Sequence, residues 1–219
     1  MSKAIATYLV VATLALLMLT ATGRAADALH GVALVIGQSD YEQVSRLPNP
    51  ENDARAIEEL LNDLGFETSL AENRDLRRLR RDLDRFVEDA EEANVAVLYY
   101  SGHGIEAGGQ NFLVPVDADT SSLDNAEDTL IPVIDVLNRL KETVPVTIVL
   151  LDACRDNPFP TAATLRVEPE APAQPITAGL SPTRGAAPLV SSQTKSPGLD
   201  TLGEIIAFAA EPGKVALDG

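Results

Sequence analysis

At 219 residues and 45% hydrophobic side chains, the chain can bury one substantial core but is too short for two large ones. Its 33 acidic residues against 17 basic ones leave a formal charge of −16, which argues against nucleic acid or an anionic membrane as a partner. Any charged ligand is expected to be basic, and a single cysteine excludes an intrachain disulfide.

Lys3, an apolar run from Ala4 to Leu19 and the small residues Ala21, Gly23, Ala25, Ala26 and Ala28 have the layout of a secretory signal. Cleavage after Ala25 is expected, making residues 1–25 the signal peptide, because a hydrophobic strand begins soon afterwards at Val32. An uncleaved anchor is the alternative, but the apolar run falls short of the roughly 20 residues a span needs. The product is then exported, periplasmic or secreted, with no stable membrane contact after cleavage, and its folded domain covers 30–219.

Val32 to Ile36 (VALVI) reads as a strand buried on both faces. After a polar loop, Asn52 or Asp53 can cap a helix whose apolar residues Ala56, Ile57, Leu60, Leu61 and Leu64 recur at helical spacing before Gly65 ends it. Phe66 to Ala71 suits a strand, and Asp75 to Ala93 a helix with Leu76, Leu79, Leu83, Phe86 and Val87 on one face and charges on the other. Val95 to Tyr100 is another buried strand, and Gly108-Gly109 marks a hairpin tip before Phe112-Leu113-Val114. A helix over Pro132 to Leu140 and a strand over Val146 to Leu151 follow. Residues 157–200, rich in Pro, Ala, Ser, Thr and Gly, read as a long mobile loop, and Ile205 to Ala210 as a last strand. Alternating strands and helices predict an α/β fold with a mainly parallel sheet flanked by helices. Ligand sites in such sheets gather at the carboxyl ends of the strands.

Two strands end on reactive groups: YYSGHG on His103 and LLDAC on Cys154. If the strands are neighbours, the imidazole and the thiol face each other across one sheet edge, which is what nucleophilic catalysis by cysteine requires. With only two histidines in the chain and His30 near the cleavage site, His103 is the natural partner. Taken singly, each residue would read equally well as a buried small hydrophobe or a turn residue.

SGHG after one strand and DACR after the next, 51 residues from His103 to Cys154, resemble the caspase-like peptidase superfamily. The sequence is most similar to bacterial metacaspase-like proteins, or orthocaspases, through VALVIG, LPNPENDA, YSGHG, FLVPVD, DACRDNPF and IIAFAA. The resemblance implies a caspase-like fold and a cysteine endopeptidase with Cys154 as nucleophile and His103 as general acid/base. The backbone amides of Gly104 and Cys154 match its oxyanion hole. Asp152, together with Asp53 and Ser101, matches a pocket for arginine or lysine, so protein or peptide substrates with Arg or Lys at the cleavage site are implied. Asp53 reads as a helix N-cap nearly as well.

Some members of that family bind calcium through several aspartates. Asp117 and the Glu127-Asp128 pair correspond to parts of such a set, but no aspartate stands a few places beyond DNPF, which argues against calcium; no metal ligand and no cofactor are expected. Family members also continue beyond the strand matching IIAFAA, so the C-terminal part of the fold is expected to be truncated. A catalytically inactive binding module or a fragment therefore stays open as an alternative, as does a lone redox-reactive thiol.

Overall fold

The computed structural model describes residues 29–119, 128–154, 159, 163–167, 172–178, 180 and 203–208. The expected signal peptide, Glu127 and everything after Phe208 lie outside them. In chain order the elements are β1 (Gly31–Gly37), α1 (Pro50–Asp63), β2 (Glu67–Glu72), α2 (Leu76–Asp89) with a 3-10 turn at Ala90–Glu92, β3 (Val95–Ala107), β4 (Gln110–Leu113), β5 (Ile131–Pro132), α3 (Val133–Thr143), β6 (Val146–Cys154), β7 (Thr164–Leu165), β8 (Gln174–Ala178) and β9 (Gly203–Phe208).

The apolar runs become strands because a parallel sheet covered on both sides has no solvent face to leave polar. β2, β1, β3, β6 and β9 lie side by side in that order, every neighbouring pair parallel. Strand alternation divides their side chains between two layers. Val32, Leu34, Ile36, Ala96, Leu98 and Tyr100 meet the apolar stripes of α2 and α3, while Ala33, Val35, Val95, Val97 and Tyr99 meet Ala54, Ile57 and Leu61 of α1. Each fully buried Leu, Ile or Val contributes about 1.5–3 kcal/mol, so these two layers hold the sheet in place.

Local signals set the helix ends. The Asp75 carboxylate accepts from the Arg78 amide at 2.7 Å and caps α2. Gly65, at φ 88°, takes the left-handed conformation that closes α1. The start of α1 differs from expectation. Proline at the first position, where a missing amide proton costs nothing, moves it back to Pro50, with Asn49 as the N-cap. Asp53 is not a cap; it lies in the first turn, its own amide donating to the Asn49 carbonyl at 3.0 Å.

The largest departure is in β3, which does not stop at Tyr100. It runs on through Ser101-Gly102-His103-Gly104 to Ala107, and Gly104–Ala107 turn back on β4 across Gly108-Gly109 (φ 59° and 82°). Residues 105–107 also pair with β8, which pairs with β7. The segment 157–200, read as a loop, thus carries two short strands among its described residues. Ile105, Phe112, Val114, Leu130, Leu165 and Ile176 form a separate small core around this extension, beyond the carboxyl edge of the parallel sheet.

Candidate active site

Where the parallel sheet gives way to the antiparallel extension, β3 and β6 run in register as Ser101↔Asp152, Gly102↔Ala153 and His103↔Cys154. Residues 51 apart in the chain become cross-strand neighbours, about 4.8 Å apart in strand spacing. Cys154 closes β6; its backbone is described, its thiol is not.

His103 is 1% exposed and is held on every side. Its amide donates to the Tyr41 hydroxyl at 2.8 Å, and its carbonyl accepts from the Tyr100 hydroxyl at 2.6 Å. The two phenol oxygens lie 3.4 Å apart. The imidazole lies with its centroid 4.6 Å from that of Tyr41, the planes tilted by 51°. Nε2 is 2.7 Å from the Ser45 carbonyl. A carbonyl can only accept, so Nε2 carries the proton and Nδ1 is the basic nitrogen of the neutral ring. Gly102 makes this possible: a Cβ there would stand 2.7 Å from the Tyr41 hydroxyl and 2.8 Å from that of Tyr100.

Gly104 follows. The Val114 amide donates to the His103 carbonyl at 3.2 Å, so Gly104 and its partner Leu113 are the kind of antiparallel pair that exchanges no hydrogen bonds. The Gly104 amide therefore points away from β4, to the side where β6 ends opposite His103 and β8 ends opposite Ile105. A Cβ on Gly104 would meet Leu180 at 2.7 Å and Ala153 at 2.9 Å; only glycine fits, and Leu180 covers it.

Ser101 and Asp152, in register, leave their strands on the α1 side of the sheet, beside Tyr99. The Tyr99 phenol feels the charges of Asp152 and of Asp53, the latter from the first turn of α1. Burial above all, then the charges of Asp152 and Asp53, push the phenol far above its usual value of 10.0. Ser101 and Asp152 are thus cross-strand neighbours, and Asp53 at the start of α1 lies near enough for its charge to bear on the same phenol as that of Asp152. Asp117 is elsewhere, accepting from the Leu76 amide at 2.8 Å at the start of α2.

A model of the caspase domain matches residues 30–219. The chain belongs to the caspase-domain family. Members of this family are cysteine peptidases, and the parallel sheet between helices is the caspase-like fold. The chain is 30% identical over 142 residues to human mucosa-associated lymphoid tissue lymphoma translocation protein 1, and 29% to its mouse homolog; each match covers 62% of this chain and 17% of the relative. This chain therefore corresponds to a small part of those proteins. Among solved structures, protein GSU0716 of Geobacter sulfurreducens aligns at TM-score 0.45 and 16% identity over 58% of this chain and 52% of its own. The Drosophila initiator caspase Dronc aligns at TM-score 0.45 and 15% identity over 62% and 51%.

Sequence reasoning missed several residues around the site of this caspase domain: Tyr41, Ser45, Tyr99 and Tyr100. The two adjacent tyrosines sat within an apolar run and read as core. Their position at the carboxyl end of a strand was the available signal, since a buried phenol needs a partner for its hydroxyl. Tyr41 and Ser45 carried no local signal.

Proposed function

We propose that this caspase domain is a cysteine endopeptidase that hydrolyses peptide bonds after arginine or lysine, acting outside the cytoplasm once residues 1–25 are removed. The observation that carries the reading is the register pairing of His103 with Cys154 at the carboxyl edge of the parallel sheet. Cys154 attacks the scissile carbonyl as its proton passes to Nδ1 of His103. The amides of Gly104 and Cys154 stabilise the oxyanion, a reading supported by the direction of the Gly104 amide. The imidazolium then protonates the leaving amine, and water, deprotonated by His103, releases the acyl group and regenerates the thiol. A carbonyl reaching Gly104 displaces Leu180, which packs over it. Cysteine and histidine complete the cycle without a cofactor.

The basic preference is supported by the charges of Asp53 and Asp152 bearing on the same phenol, that of Tyr99. Two carboxylates offset the desolvation of a guanidinium or ammonium and repel an acidic side chain. Substrates are accordingly proteins or peptides with Arg or Lys before the cut.

Titration with an arginyl fluoromethyl ketone tests the proposal. Labelling of Cys154 should require the arginine in the reagent and disappear in His103→Ala. Equal labelling by a reagent without arginine, persisting in that variant, would instead mark a merely reactive thiol.

A further inference from the structure

The loop after β1 carries both groups that pin His103, and its own support comes from another part of the chain. Ser39 is the root of that loop. Its carbonyl accepts from the Tyr41 amide and from the Leu47 amide, each at 3.1 Å, which ties the two ends of the segment together as in an Ω-loop. Tyr41 and Ser45 lie inside the closed segment; the Tyr41 hydroxyl holds the His103 amide at 2.8 Å and the Ser45 carbonyl holds Nε2 at 2.7 Å. Whatever fixes Ser39 therefore bears on the imidazole.

Ser39 is fixed by Asn73, which follows β2. The side-chain carbonyl of Asn73 accepts from the amides of Ser39 at 2.8 Å and Asp40 at 3.0 Å, one for each lone pair. Its Nδ2 donates to the Glu51 carboxylate, in the first turn of α1, at 2.6 Å, and its backbone amide donates to the Gly37 carbonyl at 3.0 Å. The backbone stands at φ 47°, a left-handed conformation that asparagine and aspartate adopt more readily than other side chains do. An aspartate would keep the acceptor but would set its carboxylate against that of Glu51, so both side-chain polar atoms of asparagine are used. Beside it, the fully buried Gln38 makes a reciprocal pair with the Arg74 backbone, at 2.7 and 2.8 Å. Two successive residues after β2 thus grip the two that follow β1.

We propose that Asn73 is a positioning residue for the acid/base step. By anchoring Ser39 and Asp40 it holds the closed loop over the sheet edge, so that Tyr41 and the Ser45 carbonyl keep the His103 ring where its Nδ1 can exchange a proton with Cys154. Asn73 acts only through that loop. The inference rests on His103 being the acid/base group and deepens that reading, because proton transfer falls off steeply when the base is misplaced.

The experiment measures kcat and KM of the full chain on one fluorogenic peptide with arginine before the cut, at a temperature where each variant keeps the wild-type far-ultraviolet dichroism. Asn73→Gly retains the left-handed backbone and removes the acceptor; it should lose about tenfold in kcat with KM little changed. Val87→Ala, on the core face of α2, destabilises the fold away from the loop and should keep the wild-type kcat. Asn73→Asp should lower kcat as well, and adding Glu51→Gln, whose amide can donate to the new carboxylate, should bring it back to within about twofold of wild type. Should Asn73→Gly fail to fold, this restoration decides alone. An unchanged kcat in Asn73→Gly, an equal fall in Val87→Ala, or no restoration by Glu51→Gln would overturn the role of Asn73 and leave the dyad standing. Wild-type protein that does not cut the peptide would overturn the catalytic reading and this inference with it.

Discussion

Two regions of the molecule gather ionisable and polar groups, and they are built differently. Beside β1, β2 and α2, a cavity of about 560 Å³ is lined by His30, Glu67, Arg74, Asp82 and Arg85 among others. Its charges meet in pairs that reach solvent, His30 with Glu67 at 3.2 Å and Arg74 with Asp82 at 2.9 Å, the Glu67 side chain being 78% exposed. At the carboxyl end of β3 and β6 the polar groups are instead buried: Tyr41, Tyr99, Tyr100, Ser101 and His103. There the Tyr41 and Tyr100 hydroxyls hold the backbone of His103, and the imidazole is pinned by the Tyr41 ring and at Nε2. Exposed pairs are worth about 0–1 kcal/mol, whereas groups fixed in a low-dielectric setting act strongly on whatever charge develops beside them. The charged cavity is thus the less informative of the two regions. Convergence of buried, mutually oriented groups marks the site better than volume or charge does.

That contrast breaks if the buried end is chemically idle. Cys154→Ala is expected to reduce kcat/KM on arginine peptides by about a thousandfold or more while the far-ultraviolet dichroism stays that of the wild type. Undiminished turnover would move the chemistry elsewhere. Tyr41→Phe tests the pinning of the imidazole. The ring that faces His103 remains, but the hydroxyl to which the His103 amide donates is gone, leaving that amide buried at a cost of about 1–3 kcal/mol. Because the loss acts on the acid/base group and not on the pocket, kcat should fall by about tenfold with KM little changed. A rise in KM at constant kcat would place Tyr41 in substrate binding.

The two regions also differ in how legible they were. The parallel sheet could be read because VALVI, VAVLYY and VTIVLL are unbroken apolar runs, and α2 because its leucines keep helical spacing; those are local properties. The juxtaposition of His103 and Cys154 at one edge of the sheet could be read because each follows closely on such a run. The continuation of β3 through SGHG could not, since two glycines and a histidine have no strand signal of their own. Pairing with β4 and β8 orders them, and β8 lies some 70 residues onward in a stretch that reads as a loop. The start of α1 was misread despite a local signal, the proline at its first position. The support of His103 by Tyr41 and Ser45 spans 62 and 58 residues of chain. It exists only once the loop after β1 folds over the sheet edge, so no window of sequence contains it.

The charged side of the comparison should respond to pH weakly and through stability alone. His30 at the start of β1 has Nδ1 2.9 Å from the Glu92 carbonyl and Nε2 3.2 Å from Glu67. The Glu92 carbonyl first, and the Glu67 carboxylate second, raise its pKa above the ordinary 6.5. The folded protein therefore binds the proton more tightly than the unfolded chain does. Its stabilisation is fully present below pH 6.5 and is lost as pH rises through the folded-state value. His30→Gln removes the titrating group, so the gap in denaturation midpoint between wild type and variant should be wider at pH 5.5 than at pH 8.5. Taking the difference between the two proteins cancels every other titration they share. The widening should shrink in high salt, as an exposed pair requires, and turnover relative to wild type should be the same at both pH values. An equal gap at pH 5.5 and 8.5 would remove His30 from the pH dependence, and a pH-dependent change in turnover would mean that the cavity side is coupled to the chemistry after all.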